Sequence, residues 1–422
     1  MEGAIHLKIL IVNTSDLEGG AARAAYRLHK SLLSQDINSQ MLVQSKISDD
    51  HLVLSTGTTK VKKILNRLRP VLDCAPLTSY KMRTKTTFSP AWLGFNNVVD
   101  IINDLAPDIV HFHWINSGMI SIKDLARIKI PIIWSLHDMW AFTGGCHYDE
   151  GCAGYLQECG NCKVLASSKR FDISKYIYNR KQVSFSKMTN LTIVGLSNWL
   201  NECSKNSSLL KGKVHVNIPN PIDTDVFKPF DKVKSRELWH LPKNKKLILF
   251  GAVGATNDPR KGFAELAQAL IKYKEQDAEL VIFGGSEPHN PFNFGFKTHY
   301  LGVLKDDISL VALYSAVDVM VVPSLQENLS NAIMESLSCG TPVVGFNIGG
   351  NSDMIEHKKT GYLAKPFVSS DLADGIEWVL DNSNYTELSK NSRVKIMKEF
   401  DSTIVAKKYI NLYRKILQES IK

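Results

Sequence analysis

The 422-residue sequence has no run of 18 apolar residues, which excludes a helix able to cross a bilayer. It also has no basic segment ahead of its first apolar run. MEGAIHLKILIVN therefore reads as a lead into a strand over Leu7–Val12, not as a secretory leader, and a cytoplasmic, reducing location is expected. Low-complexity tracts are missing, and 44% apolar with 22% charged residues describes a globular chain. Acidic residues are the scarcer charge, 42 against 51 basic ones, for a net +9. That balance favours anionic partners: nucleotide phosphates, nucleic acid or an acidic membrane face. Basic sheet patterns interleaved with aromatics are not found, so nucleic acid is not an expected partner.

What is present fits two domains of about 200 residues each. The most informative stretch is Val319–Gly350, VMVVPSLQENLSNAIMESLSCGTPVVGFNIGG. Its apolar run Val319–Val322 stops at Pro323 and reads as a buried parallel strand. A polar-leaning loop follows, then a helix over about Ser330–Ser338 that Cys339-Gly340 ends, then a second strand over Val343–Phe346. Such strand–loop–helix–strand units build doubly wound sheets, whose ligands lie where strands end and helices begin. Glu327 sits in that loop. A helical wheel sets Glu335 opposite the apolar face of Leu329, Ala332, Ile333 and Leu337, which alone would mean a solvated helix face. The helix N-terminus, however, suits a diphosphate, and a carboxylate two turns along suits vicinal hydroxyls.

Other strand ends carry similar chemistry. Gly19-Gly20 lies between the first strand and a helix over about Ala21–Ser34, where the backbone is able to approach a phosphate; Arg23 adds a cation there. Apolar strands ending in His111-Phe112-His113 and in His137-Asp138 place histidines at a sheet's functional edge. Arg260-Lys261-Gly262, after the loop AVGATNDPRKGF begins, sets two cations at the start of a helix over Phe263–Leu270. Strand Leu280–Phe283 ends in Gly284-Gly285-Ser286.

Taken together, PSLQE, Glu335 and SLSCGTPVVGFNIGG resemble the signature of retaining GT-B glycosyltransferases of the family-4 group, most closely over 247–365. The resemblance implies an α/β GT-B fold: two Rossmann-like doubly wound parallel-sheet domains facing across a cleft. It implies an acceptor-side domain over 1–218 plus 400–422, where the last helix returns, and a nucleotide-sugar domain over 219–399. Pro219-Asn220-Pro221-Ile222-Asp223 resembles the family's linker. By the same resemblance Glu335 holds the ribose and Glu327 lies against the donor sugar. Asn328, Leu329 and Ser330 supply donor-site backbone, although many members carry glycines at the places of Asn328 and Ser330. His137 contacts the sugar near the reacting carbon, with His111 and His113 as second choices. Arg260 and Lys261 stabilise the leaving diphosphate, and Gly19-Gly20 matches the glycine loop of the first domain. Asp-x-Asp occurs once, at Asp223-Thr224-Asp225 in the linker, in keeping with catalysis that uses no cofactor or metal. No carboxylate stands as an obvious covalent nucleophile, which favours front-face departure and attack over double displacement.

The implied activity is transfer of a sugar from a UDP- or GDP-linked donor to a saccharide or polyprenyl-linked acceptor with retention, in surface polysaccharide biosynthesis. A non-catalytic nucleotide-sugar-binding scaffold of a glycan-assembly complex is the alternative. Two further features stand apart. Cys146, Cys152, Cys159 and Cys162 follow a C-x5-C-x6-C-x2-C pattern, open to structural zinc, to free or redox thiols, or to disulfides or an iron–sulfur cluster. Zinc is the expected occupant, with His147 able to replace one thiolate. Residues 60–85 carry eight basic side chains against Asp73 alone. Val61, Ile64, Leu65 and Leu68 recur there at helical spacing, giving a basic amphipathic helix expected to end at Pro70. Such a helix either lies on an anionic membrane surface, making the protein peripheral on the inner face of the cell membrane, or packs on its own domain.

Overall fold

In the computed structural model, residues 7–94, 97–251, 258–273, 277–285, 287 and 295–421 are described. Ala252–Asn257 and Ser286, in two of the loops singled out above, lie outside them. The chain divides into two units, Met1–Pro221 with Val405–Lys422, and Ile222–Ile404.

The first unit runs β1 (Lys8–Ser15), α1 (Gly20–Leu33), β2 (Asn38–Ser45), β3 (Val53–Ser55), α2 (Lys60–Cys74), α3 (Val98–Leu105), β4 (Ile109–Phe112), α4 (Ile122–Leu125), β5 (Ile132–Leu136), α5 (Ile173–Ser186), β6 (Leu191–Gly195), α6 (Asn198–Asn206) and β7 (Val214–Asn217). Its strands form one parallel sheet in the order β3-β2-β1-β4-β5-β6-β7. The chain winds outward one way from β1 and the other way from β4, so a topological switch lies between those two strands. β5 and β6 are buried throughout, which explains why they are continuous apolar runs. One face of the sheet packs on the side chains of Val98, Ile102, Ile177 and Phe185. The other is covered by α1 and by the chain's last helix, through Leu28, Leu32, Tyr409 and Tyr413.

α2 does not stop at Pro70 but continues to Cys74. Proline at that point removes only the N–H that would have bonded the carbonyl of residue 66, and the helix is largely exposed, so water is able to satisfy that carbonyl. Nor does the helix bury its apolar stripe: Val61, Ile64, Leu65, Leu68 and Val71 are all exposed.

The second unit contains α7 (Lys232–Leu238), β8 (Lys246–Gly251), α8 (Phe263–Lys272), β9 (Ala278–Phe283), β10 (Thr298–Tyr300), α9 (Asp307–Ala316), β11 (Val319–Val322), α10 (Asn331–Ser338), β12 (Val343–Phe346), α11 (Asn351–Met354), β13 (Gly361–Ala364), α12 (Ser369–Leu380) and α13 (Tyr385–Glu399). Its sheet, also parallel, has the order β10-β9-β8-β11-β12-β13, with the switch between β8 and β11. The turn after Pro221 is fastened within this unit: Ile222 donates to the Phe400 carbonyl and accepts from Ser402, and Thr224 Oγ1 donates to Asp401. α14 (Ser402–Ile421) then leads into the first unit.

Candidate active site

In the second unit the sequence-derived residues gather at the end of β11, beside the switch. All four residues of β11 are buried, and Pro323 halts the strand because it cannot donate to the ladder. A one-turn 3-10 helix, Pro259–Lys261, is pressed against that strand end. Gly262 makes the approach possible. Its φ is +74°, and a Cβ there would run into the Pro323 carbonyl. Leu325 N–H donates to the Arg260 carbonyl at 2.8 Å, tying the two loops together. As a result Lys261 Nζ meets Glu327 Oε2 at 2.9 Å, although the two residues are 66 positions apart. Arg260 forks onto Asp258, at 3.2 and 2.7 Å. Burial pushes the Asp258 carboxyl up, but the guanidinium more than offsets this and leaves it below the ordinary carboxylate range.

Ser330 precedes α10 without capping it through its side chain, so the helix N-terminus keeps N–H groups able to meet an anion. Asn328, Leu329 and Ser330 are themselves buried. Lys261, Glu327, Ser324, Ser330, Phe250 and Val322 line a small open pocket. Glu335 departs from the helical-wheel expectation of a solvated face. It is 4% exposed, and Tyr314 donates its hydroxyl hydrogen to Oε2 at 3.0 Å. The buried carboxylate is thus oriented by a tyrosine that sequence reading did not single out.

The first unit sets its groups differently. Gly19 precedes α1 at φ +92° with no side-chain cap, and no acid follows in the first turn. Gly20 opens the helix itself, which starts one residue before the expected Ala21. His137 leaves β5, and its Nε2 shares a 2.8 Å hydrogen bond with Nδ1 of His113, which leaves β4. Burial pushes the His137 imidazole down to about 4 and His113 well below its ordinary value. His111 is not at the functional edge. It is fully buried, with Nδ1 on the Tyr413 hydroxyl and Nε2 on Ser135 Oγ, both at 2.8 Å, while Ser135 also bonds Tyr409. Its role is to dock α14.

The segment after His137 is braced by charge and aromatic contacts. Asp138 accepts from Trp114 Nε1 at 3.0 Å and from the Trp140 amide at 2.9 Å, and it bonds His147 Nδ1 at 2.6 Å. His147 Nε2 meets Ser89 Oγ at 2.8 Å. Both nitrogens of His147 are therefore occupied, and it does not stand in for a thiolate. Lys181, fully buried on α5, lies 3.6 Å from the centre of the Trp140 ring and donates to the carbonyls of Trp140 and Thr143. Burial lowers its pKa to about 7. Nothing in the basic pattern of that helix marked Lys181 as different from its neighbours.

The four cysteines are free thiols. Gly144 N–H points at Cys159 Sγ at 3.1 Å and Gly154 N–H at Cys152 Sγ at 3.5 Å. Among the described residues, however, no three His, Cys, Asp or Glu side chains are gathered as a metal ion requires.

Two parallel doubly wound units, one of them with a cation–carboxylate pair at its switch, are the architecture of the GT-B fold. A structure of sucrose-phosphate synthase from Thermosynechococcus elongatus has this fold, with a TM-score of 0.71 at 18% identity, covering 98% of this chain and 100% of that one. Residues 246–382 match the family model for glycosyl transferases group 1, and residues 71–149 match the glycosyl transferase 4-like model. The chain thus carries a group 1 glycosyltransferase domain and a glycosyl transferase 4-like domain. It is 27% identical over 320 residues to an uncharacterized glycosyltransferase of Methanocaldococcus jannaschii, covering 73% of this chain and 75% of the relative. It is 24% identical over 368 residues to a putative colanic acid biosynthesis glycosyl transferase of Escherichia coli, covering 83% and 85%. A UDP-Gal:alpha-D-GlcNAc-diphosphoundecaprenol alpha-1,3-galactosyltransferase of Escherichia coli is 28% identical over 317 residues, covering 72% and 75%.

Proposed function

We propose that the protein moves a hexosyl group from a UDP- or GDP-linked sugar to a saccharide or polyprenyl-linked acceptor, with retained anomeric configuration, in surface polysaccharide biosynthesis. The observation that carries this reading is the Lys261–Glu327 pair, held at the end of β11 beside the open N-terminus of α10. A diphosphate leaving from that place carries growing negative charge, which Lys261, Arg260 and the helix N–H groups stabilise more than they stabilise the intact donor. Glu327 lies against the sugar, His137 contacts it near the reacting carbon, Glu335 takes the ribose hydroxyls, and Gly19-Gly20 bring backbone close to the donor. With Glu327 paired to Lys261, departure and attack on one face remain the preferred course. The galactosyltransferase relative, whose name gives a UDP sugar and a diphosphoundecaprenol acceptor, supports the substrate classes. The experiment is a panel of nucleotide sugars screened by thermal shift, followed by NMR of the product's anomeric centre. An inverted product rejects retention. Donor binding without transfer or hydrolysis over hours leaves the scaffold reading in its place.

The same reading places the protein at the cytoplasmic face of the cell membrane. No helix among the described residues is long and apolar enough to cross a membrane. α2 instead exposes Val61, Ile64, Leu65, Leu68 and Val71 beside Lys62, Lys63 and Arg67, a combination suited to an anionic lipid surface. Arg69 is otherwise engaged, on the carbonyls of Gly118 and Gly94 at 2.6 and 3.0 Å. Changing Lys62, Lys63 and Arg67 to Gln is expected to abolish co-sedimentation with phosphatidylglycerol vesicles at low salt. Wild-type protein that ignores such vesicles ends the idea.

The cysteine lobe is a structural part of this proposal, with zinc as its occupant. Cys-x2-Cys spacing and N–H donors on two sulfurs suit thiolate ligands, but the side chains would have to turn inward from their present positions. About one zinc per chain supports the assignment. Metal-free protein whose melting curve is unchanged by Cys159→Ser removes it.

A further inference from the structure

A buried imidazole, His113, in hydrogen-bond contact with a half-buried one, His137, beside a switch point raises the question of where their protons are. β4 and β5 are parallel neighbours with Phe112 opposite Trp134, so His113 and His137 emerge side by side at the same edge of the sheet. His113 is held firmly. Its amide donates to the Val12 carbonyl, its own carbonyl accepts from Trp134 Nε1, both at 3.0 Å, and its ring lies 4.5 Å from that of His111. His113 Nδ1 bonds His137 Nε2, while His113 Nε2 is buried and has no partner among the described residues.

A neutral imidazole has one N–H and one bare nitrogen, so one ring of the pair donates and the other accepts. Burial keeps both rings neutral near pH 7, His137 with a pKa of about 4 and His113 well below the ordinary value. If His137 donated, His113 would have to carry its own proton on the solitary Nε2. A buried N–H with no acceptor is rarer in folded proteins than a bare acceptor, since it forfeits a whole hydrogen bond. The opposite assignment leaves only an idle lone pair at His113 Nε2.

We infer that His113 is a positioning residue that donates from Nδ1 to His137 Nε2 and thereby fixes His137 as the Nδ1–H tautomer. In that tautomer Nε2 is engaged and Nδ1 carries the proton, so His137 has no bare ring nitrogen with which to act as a base. This rests on the reading that His137 contacts the donor sugar, but the proton's position is measurable without any sugar. His111 does not compete for the bond, because Tyr413 and Ser135 engage both its nitrogens.

The test is long-range proton–nitrogen correlation on nitrogen-15 histidine-labelled full-length protein near pH 7, with His137 assigned by its loss in His137→Gln. The expected result is a protonated Nδ1 and a bare Nε2 at His137. A protonated Nε2 in the wild type overturns the inference, with no variant needed. His113→Leu is expected to mix the His137 tautomers and lower kcat about tenfold with little change in KM, the loss of one hydrogen bond made in the transition state. His113→Asn, whose amide N–H stands near the position of Nδ1, is expected to restore both. An unmoved tautomer in a folded His113→Leu protein also overturns it. Wild-type protein with the expected tautomer but no transfer overturns the functional reading instead, so the two failures are distinguishable.

Discussion

The two units share a topology but build their candidate sites in opposite ways. In the first, half-buried His137 is bonded to buried His113, whose ring packs on His111, a core residue tied to Ser135 and Tyr413. In the second, Lys261 and Glu327 form a partly exposed pair on two loops, supported by the Gly262–Pro323 contact. A site made from the core couples function to stability. A site set on loops is able to lose a catalytic side chain with little harm to the fold. The difference teaches that a similar switch-point position does not make two clusters respond alike to substitution.

Four measurements break or sharpen that contrast, from the largest effect down. Tyr413→Ala opens a cavity and removes the partner of His111 Nδ1, and is expected to cost about 3–5 kcal/mol of stability. Denaturation followed by proteolysis should show the first unit opening before the second. A single unchanged transition would remove the claim that its cluster is part of the core. Lys261→Ala is expected to lower kcat on the order of 10²–10³-fold, as for other lost donors to a developing anion. Its melting temperature should barely move, because a partly exposed ion pair contributes about 0–1 kcal/mol. Undiminished turnover would sink the leaving-group assignment.

Glu335→Ala tests the exception, since Glu335 is buried although it belongs to the loop-built site. Nucleotide affinity should weaken by about 1.5–3 kcal/mol, with a stability loss from the deleted Tyr314–Glu335 hydrogen bond. Calorimetry of nucleotide binding together with a melting curve separates the two. The smallest effect per group is in acid. Burial depresses His29, His111, His113 and His137, all in the first unit, with His29 and His137 at about 4 and His111 at about 3. Below the unfolded value of 6.5 the unfolded chain binds protons that the native state refuses. Stability is therefore full above pH 6.5 and falls as pH drops toward 4, by about 0.7 kcal/mol per histidine between pH 7 and 6. A first unit equally stable at pH 7 and pH 5 would contradict the depressed values.

Much of the fold is legible because buried parallel strands are continuous apolar runs. Val319–Val322 and Val343–Phe346 have the same bounds in sequence and structure. β2 was not read from the sequence, since NSQMLVQS mixes polar residues into a strand near the edge of the sheet. α13 was missed too, because its apolar residues are too scattered to form a clear stripe. In the site, the loop residues Arg260, Lys261 and Glu327 stand out by type and by position after strands. The burial of Glu335 does not, because a helical wheel counts any carboxylate as polar and knows nothing of Tyr314 on a neighbouring helix. Nor does sequence separate His111 from His113. Both follow the same apolar run, and only Tyr413, 302 positions away, makes one of them interior.

That long reach has a consequence for the order in which the molecule is made. The residues that cover Ile9, Ile11 and Ile133 on one face of the first sheet include Tyr409, Ile410 and Tyr413. A ribosome finishing β7 must translate all of residues 222–404 before it supplies them. At about 5–20 residues per second that interval is roughly 10–40 s. Throughout it the nascent first unit holds an apolar face without its cover, while the second unit is free to fold and finish first. The half of the protein that is begun first is therefore the last to be completed, and its exposure to chaperones and to aggregation is set by the translation time of the other half.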